Sequence, residues 1–172
     1  MNQRGDCIIL IGFMGVGKTA VGNALAARTG LPLQDTDAIV SASVGLPIPK
    51  IFAELGESVF RDKETEVLTK LPIAPAVIAT GGGIILRPDN VQLLRKLGRI
   101  VWLDAEKQTL FSRISQAAAR PLLQSEDPRA TFTQLLQERE PFYRDAADFR
   151  IDTSHLTPDE VADTLLERIK RL

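Results

Sequence analysis

Five short apolar runs recur along the chain, and between them apolar residues return at helical spacing. Cys7-Ile8-Ile9-Leu10-Ile11 is the first run and reads as a buried strand. Ala20, Val21, Ala24 and Leu25 mark one face of a helix over residues 18–29, which Gly30 stops. Leu31-Pro32-Leu33-Gln34 predicts a short second strand with proline at its entrance. It delivers Asp35-Thr36-Asp37 at its C-terminal end. Residues 38–44 read as a helix ending at Gly45, and Ile51, Phe52 and Leu55 as a short helix closed by Gly56. Phe60, Val67, Leu68 and Leu71 form the inward stripe of a longer helix over residues 57–71.

Ala76-Val77-Ile78-Ala79 predicts the third strand, which runs directly into Thr80-Gly81-Gly82-Gly83. Pro88 fits the first turn of a helix that carries Val91, Leu94 and Leu97 and ends at Gly98. Ile100-Val101-Trp102-Leu103 is the fourth strand, with Trp102 in the core. Asp104 is expected to cap the helix bearing Leu110, Phe111 and Ile114. The periodicity breaks over residues 117–127. Asp127-Pro128 then opens a helix through Phe132, Leu135 and Leu136, which Pro141 is expected to end. Phe149-Arg150-Ile151-Asp152 reads as a fifth strand at a sheet edge. Thr157 and Glu160 match a capping box before a last helix with Val161, Leu165, Ile169 and Leu172 on one side. Strands alternating with helices predict an α/β fold, a three-layer α/β/α sandwich with a central five-stranded parallel sheet, as one domain over residues 1–172.

Composition adds bounds. The 172 residues are 44% hydrophobic and 25% charged, ordinary for a globular protein with a proper core. A net charge of −1 does not favour a broad nucleic-acid-binding face. A single cysteine permits no intrachain disulfide and fits a reducing compartment; Cys7 in its apolar run reads as a small core residue. No apolar stretch approaches the ~18–20 residues of a membrane span. Residues 1–6 run straight into the first strand, so no signal peptide is expected and a cytoplasmic monomer is the default. His155, the single histidine, sits in a polar loop and is expected to be solvated.

The chemistry centres on Gly12-Phe13-Met14-Gly15-Val16-Gly17-Lys18-Thr19, which has the Walker A spacing between a strand and a helix. Glycine allows the backbone to approach a phosphate closely, and the N–H groups of the loop and of the helix N-terminus face the anion. Lys18 would reach the β- and γ-phosphates, and the Thr19 hydroxyl would ligate magnesium. Asp35 and Asp37 lie two apart where a strand ends, so in extended backbone they project on one side. One could hold the metal's water shell while the other faces an attacking hydroxyl; alternatively, Asp37 caps the next helix. Arg61 and Glu64 are three apart and can pair, as a rigid fork for a carboxylate or as a surface ion pair. Arg139, four after Leu135, points with the core residues and needs an anionic partner. Arg120, in the irregular segment, could close over phosphates as lids do, or be a solvated loop residue. The ends of three strands thus converge on one rim, where open α/β sheets bind ligands.

Together these residues closely resemble shikimate kinases, small members of the P-loop kinase superfamily. The resemblance covers nearly the whole chain. It rests on the Walker loop, Asp35-Thr36-Asp37, Gly56-Glu57 with Phe60-Arg61 and Glu64, the glycine triplet, Arg120-Pro121-Leu122-Leu123, and Arg139 with Pro141, Phe142 and Tyr143. It implies transfer of the ATP γ-phosphoryl group to the 3-hydroxyl of shikimate. Gly12, Gly15, Val16, Gly17, Lys18, Thr19 and Ala20 would bind nucleotide, with Arg113 and Pro158 at the adenine. Lys18 and Arg120 would neutralise phosphate charge. Thr19 would bind Mg2+ directly and Asp35 through a water. Asp37 would orient, and deprotonate, the hydroxyl. Arg61 and Arg139 would clamp the carboxylate, beside Gly81, Gly82 and Gly83. The resemblance also implies a substrate-binding segment at about 36–72 and a lid at about 115–127. Val40 departs from the family, which commonly has glutamate there, and Pro49 is an additional proline. A gluconate kinase would share the Walker loop and fold without this combination of aspartates, arginines and glycines. A GTPase-like switch would carry Asn-Lys-x-Asp, which the sequence lacks.

Overall fold

A computed structural model of the chain describes residues 5–115 and 125–171. β1 (Cys7–Ile11), β2 (Leu33–Asp35), β3 (Val77–Ala79), β4 (Gly98–Asp104) and β5 (Phe149–Asp152) form one sheet in the order β2-β3-β1-β4-β5. Every pairing is parallel, and Ile9 at the centre lies between Ile78 and Ile100. β1 and β3 are buried along their whole length, which is why they are unbroken apolar runs. β5 alternates buried and exposed residues, as the expected edge strand should.

Helices cover both faces. They are α1 (Lys18–Thr29), α2 (Thr36–Val44), α3 (Ile48–Lys50), α4 (Gly56–Lys70), α5 (Pro88–Leu97), α6 (Lys107–Ser115), α7 (Pro128–Ala146) and α8 (Pro158–Lys170). A π-helical turn, Ile51–Leu55, joins α3 to α4, where the sequence suggested a short helix. The main core packs around the sheet. A second, smaller cluster of Val40, Ile51, Phe60 and Val67 ties α2 and the π-turn to α4. Val40 is fully buried in it, so glutamate's usual position is here part of an apolar plug. Trp102 and Cys7 are buried as expected, and His155 is exposed. The capping box of α8 forms, with Glu160 and Thr157 satisfying each other's backbone N–H.

Two local expectations are corrected, and one alternative is set aside. Pro141 does not end its helix; α7 continues to Ala146. Proline costs about 3 kcal/mol inside a helix, but Arg139, Tyr143 and Ala146 on either side of it are buried, and their packing holds the helix together. Asp104 does not cap α6; its carboxylate pairs with Arg150 across to β5 at 2.8 Å. The cap of α2 is Asp35, which accepts the N–H groups of Asp37 and Ala38, so Asp37 lies inside the first turn. Leu172 lies outside the described residues.

Candidate active site

The loop after β1 turns through Gly15 and Gly17 with φ of +80° and +98°, left-handed conformations that a side chain disfavours. Gly17 immediately precedes α1, so the first N–H groups of that helix open toward the sheet's C-terminal rim. Lys18 Nζ donates to the carbonyls of Gly12 and Phe13 at 2.7 and 3.0 Å, folding the ammonium over the loop. Thr19 Oγ1 donates to Asp35 Oδ2 at 2.8 Å, while Asp35 Oδ1 holds the α2 N-terminus. Asp35 therefore ties the first turn of α1 to the end of β2. A cavity of about 1190 Å³ opens over this cradle, lined by Gly15, Gly17, Lys18, Thr19, Ala20, Asp35, Asp37, Gly82 and Arg113. Cationic nitrogens, loop amides and a hydroxyl–carboxylate pair suit a magnesium-bound polyphosphate.

A second cavity, of about 480 Å³, adjoins the first and shares Asp37, Met14, Ile48 and Gly82 with it. Arg61 and Arg139 enter it from different helices, α4 and α7. Both are largely buried, at 8% and 3% exposed, and the Arg61–Glu64 pair is a buried one, not a surface ion pair. Arg61 donates to Glu64 Oε2 at 2.6 Å and to Glu57 Oε1 at 2.9 Å. Burial opposes its charge, yet Glu64 and Glu57 together hold its pKa above the usual value. Glu64 is fully buried; desolvation pushes its carboxyl up to about 7, against the pull of Arg61 and with the help of the Asp37 charge. Arg139 lies 5.7 Å from the centre of the Phe13 ring. Two guanidinium groups lining one cavity, with Phe52 and Phe60 as apolar wall, suit a small acid.

The glycine triplet forms the floor, and contact explains its composition. A Cβ on Gly81 would sit 2.5 Å from Glu64 Oε1 and 2.6 Å from Asp37 Oδ1. On Gly83 it would sit 2.4–2.5 Å from three atoms of the Arg61 guanidinium. The acidic and basic side chains thus lie directly on bare backbone. Thr36 Oγ1, itself buried, accepts the Gly81 N–H at 3.0 Å and locks the aspartate turn to this floor. Tyr143 donates its hydroxyl to the Gly82 carbonyl, one turn beyond Arg139 on α7. Its burial raises the phenol pKa, and the Arg139 charge opposes that rise.

A third cavity, of about 520 Å³, brings Arg113 and Pro158 together with Val16, Gly17, Ala20 and Val21 beside α1. Arg113 donates to the Thr153 carbonyl at 3.2 Å and is thereby fixed against the loop after β5. A cavity lined by a guanidinium group and a proline ring can take a flat aromatic base.

Of the residues singled out in the sequence, Gly12 touches the site only through its carbonyl, which Lys18 holds. Arg120 lies outside the described residues, as does most of the lid segment. Sequence reasoning missed Met14, Ile48 and Phe52 as lining residues, Thr36 and Tyr143 as supports of the glycine floor, and Thr153 as the anchor of Arg113. Ile48 sits on α3, beside the additional proline Pro49, and Phe52 on the π-turn that follows.

The sequence model of the family described as "Shikimate kinase" matches residues 14–170. A shikimate kinase from Thermodesulfovibrio yellowstonii is 45% identical over 166 residues, covering 96% of this chain and 95% of the relative. The solved structure of a shikimate kinase from Acinetobacter baumannii in complex with shikimate superimposes with a TM-score of 0.91 at 36% identity, covering 99% of this chain and 95% of that one. A gluconokinase from Sinorhizobium meliloti, at 16% identity and a TM-score of 0.54 over 98% of this chain and 94% of its own, shares the fold alone. On the family match across residues 14–170 and near-full-length relatives at this identity, the chain belongs to the shikimate kinase family.

Proposed function

We propose that this kinase transfers the γ-phosphoryl group of ATP to the 3-hydroxyl of shikimate, with Asp37 as the residue between donor and acceptor. The single observation that carries this reading is that Asp37 lines both the cradle cavity and the arginine cavity. Only a group on that boundary can face a hydroxyl in one cavity and a γ-phosphate in the other. Asp37 takes the hydroxyl proton as the oxygen–phosphorus bond forms and the bond from phosphorus to the ADP oxygen breaks. Lys18 leaves its loop carbonyls for the phosphate oxygens, and Arg120 shares that neutralisation. Arg61 and Arg139 grip the shikimate carboxylate, and the floor of Gly81, Gly82 and Gly83 lies against the ring. Arg113 and Pro158 bracket the adenine.

Thr19 and Asp35 are hard oxygen donors already within 2.8 Å of each other, which fits Mg2+ held by the hydroxyl directly and by the carboxylate through water. When bound, the ion spreads the charge of the phosphate oxygens. Among the described residues no group of three or more His, Cys, Asp or Glu side chains is placed to hold a metal. A metal bound mainly by phosphates and water does not require one.

We read the chain as one cytoplasmic, monomeric kinase domain, with a substrate-binding segment over about 36–72. The separate small core of Val40, Ile51, Phe60 and Val67 supports that segment. Among the described residues no single helix is long and apolar enough to cross a membrane.

The test of the reading is Asp37→Asn, which keeps shape and removes the base. Turnover should fall about 10²- to 10⁴-fold with the ATP dissociation constant unchanged. A near-normal rate would remove Asp37 from the chemistry.

A further inference from the structure

A buried polar bridge outside both cavities connects the substrate-gripping helix to the glycine floor. Asn90 on α5 is fully buried. Its Nδ2 donates to the Ile84 carbonyl at 3.0 Å, in the 3-10 turn Ile84–Leu86 that follows the triplet. Its Oδ1 accepts from Thr65 Oγ1 at 2.8 Å, in the middle of α4. The same hydroxyl accepts from Arg87 at 3.2 Å, and Arg87 also pairs with Asp62 at 2.8 Å. Both ends of a buried amide are thus satisfied by two different elements, which fixes their spacing as an apolar contact would not.

That spacing matters because Arg61 stands one turn before Thr65 on the same helix, and Thr65 Oγ1 lies 3.2 Å from the Arg61 carbonyl. The Arg61 guanidinium rests directly on Gly83, one residue before the turn that Asn90 holds. A small rise of α4 from the turn would lift the guanidinium off its floor and change its aim into the cavity. The two cavities read as the nucleotide site are lined mainly by the loop after β1, α1, the start of α2, Arg113 and the loop after β5; the residues lining them include Gly82 of the floor but none of α4 or α5. We propose that Asn90 and Thr65 are positioning residues that set the height of Arg61 above the glycine floor, and so tune affinity for the acid substrate without touching it. This rests on the reading of Arg61 as a carboxylate grip.

The experiment compares steady-state constants of wild type, Thr65→Val, Thr65→Ser and Arg61→Lys, and of Arg61→Lys combined with Thr65→Val. Valine keeps the shape and removes the hydroxyl; serine keeps the hydroxyl. Thr65→Val should raise the KM for shikimate about tenfold with the KM for ATP and kcat within about twofold, because misplacement of a binding group is read mainly in the ligand it holds. Thr65→Ser should stay within about twofold of wild type, and Thr65→Val should add less than about twofold in the Arg61→Lys background, as coupled residues do. Thr65→Ala carries the same expectation if valine prevents folding.

An unchanged shikimate KM in Thr65→Val overturns the proposal. So does a parallel loss in both KM values and kcat, or a full further increment in the Arg61→Lys background. If Arg61→Lys itself leaves the shikimate KM unchanged, the grip reading falls. If Arg61→Lys raises it and Thr65→Val does not, only the positioning role falls.

Discussion

Gly83→Ala probes the floor of the acid cavity through contact alone. Gly83 has φ −105° and ψ 4°, a conformation open to any residue, so the substitution introduces no backbone strain. Its new methyl would lie 2.4–2.5 Å from the Arg61 guanidinium, where ordinary contact begins at 3.4 Å. The guanidinium must therefore retreat by about 1 Å. A hydrogen bond to a charged group contributes about 1.5–3 kcal/mol, and losing one to the substrate carboxylate corresponds to roughly 10- to 150-fold in affinity. The retreat also loosens the 2.6 Å bond to buried Glu64, so the fold should lose roughly 1–3 kcal/mol as that carboxyl is left less compensated. A coupled ADP-release assay should show the shikimate KM raised by that factor, with the ATP KM within about threefold. Denaturant unfolding checks the stability loss. A folded variant with a wild-type shikimate KM would refute the account of the glycine floor, because the methyl cannot share space with Arg61 where it now lies.

The remaining predictions concern the same cavity. Glu64 is raised from 4.5 to about 7 on folding, so the folded state holds a proton that the unfolded state releases first. Its favourable share of stability is full below about pH 4.5 and is lost as pH rises through about 7, a fall of up to about 3 kcal/mol. Glu64→Gln should abolish that part of the pH dependence between pH 5 and 8; parallel unfolding midpoints for the two proteins would contradict it. Arg139→Ala should raise the shikimate KM at least about tenfold and leave ATP affinity intact. A fall in ATP affinity instead would place Arg139 with the nucleotide.

The fold was legible because its signals are local. Unbroken apolar runs mark strands buried on both faces, and Gly30, Gly45 and Gly98 close helices where they were expected to. What misled was local chemistry that distant packing overrides. Pro141 is a stop signal by itself, but Tyr143 beyond it is anchored to the Gly82 carbonyl 61 residues away. Asp104 looked like a cap until β5 brought Arg150 beside it. The candidate site residues with a backbone motif around them could be found by spacing. The supports could not: Thr36, Thr65, Asn90 and Thr153 are ordinary polar residues whose partners are set by tertiary contact. The aspartate pair was read as one group for metal and one for substrate, and the arrangement suits that division. The cap, however, falls to Asp35, the aspartate assigned to the metal, and Asp37, inside the first turn of α2, lines both cavities.

The most direct measurement is ADP release by the purified enzyme with Mg2+ and ATP, offered shikimate, gluconate or a nucleoside monophosphate in turn. Two buried guanidinium groups lining one cavity over a glycine floor predict saturable turnover with shikimate and background rates with the others. Background rates with shikimate, or equal turnover with gluconate, would contradict the account.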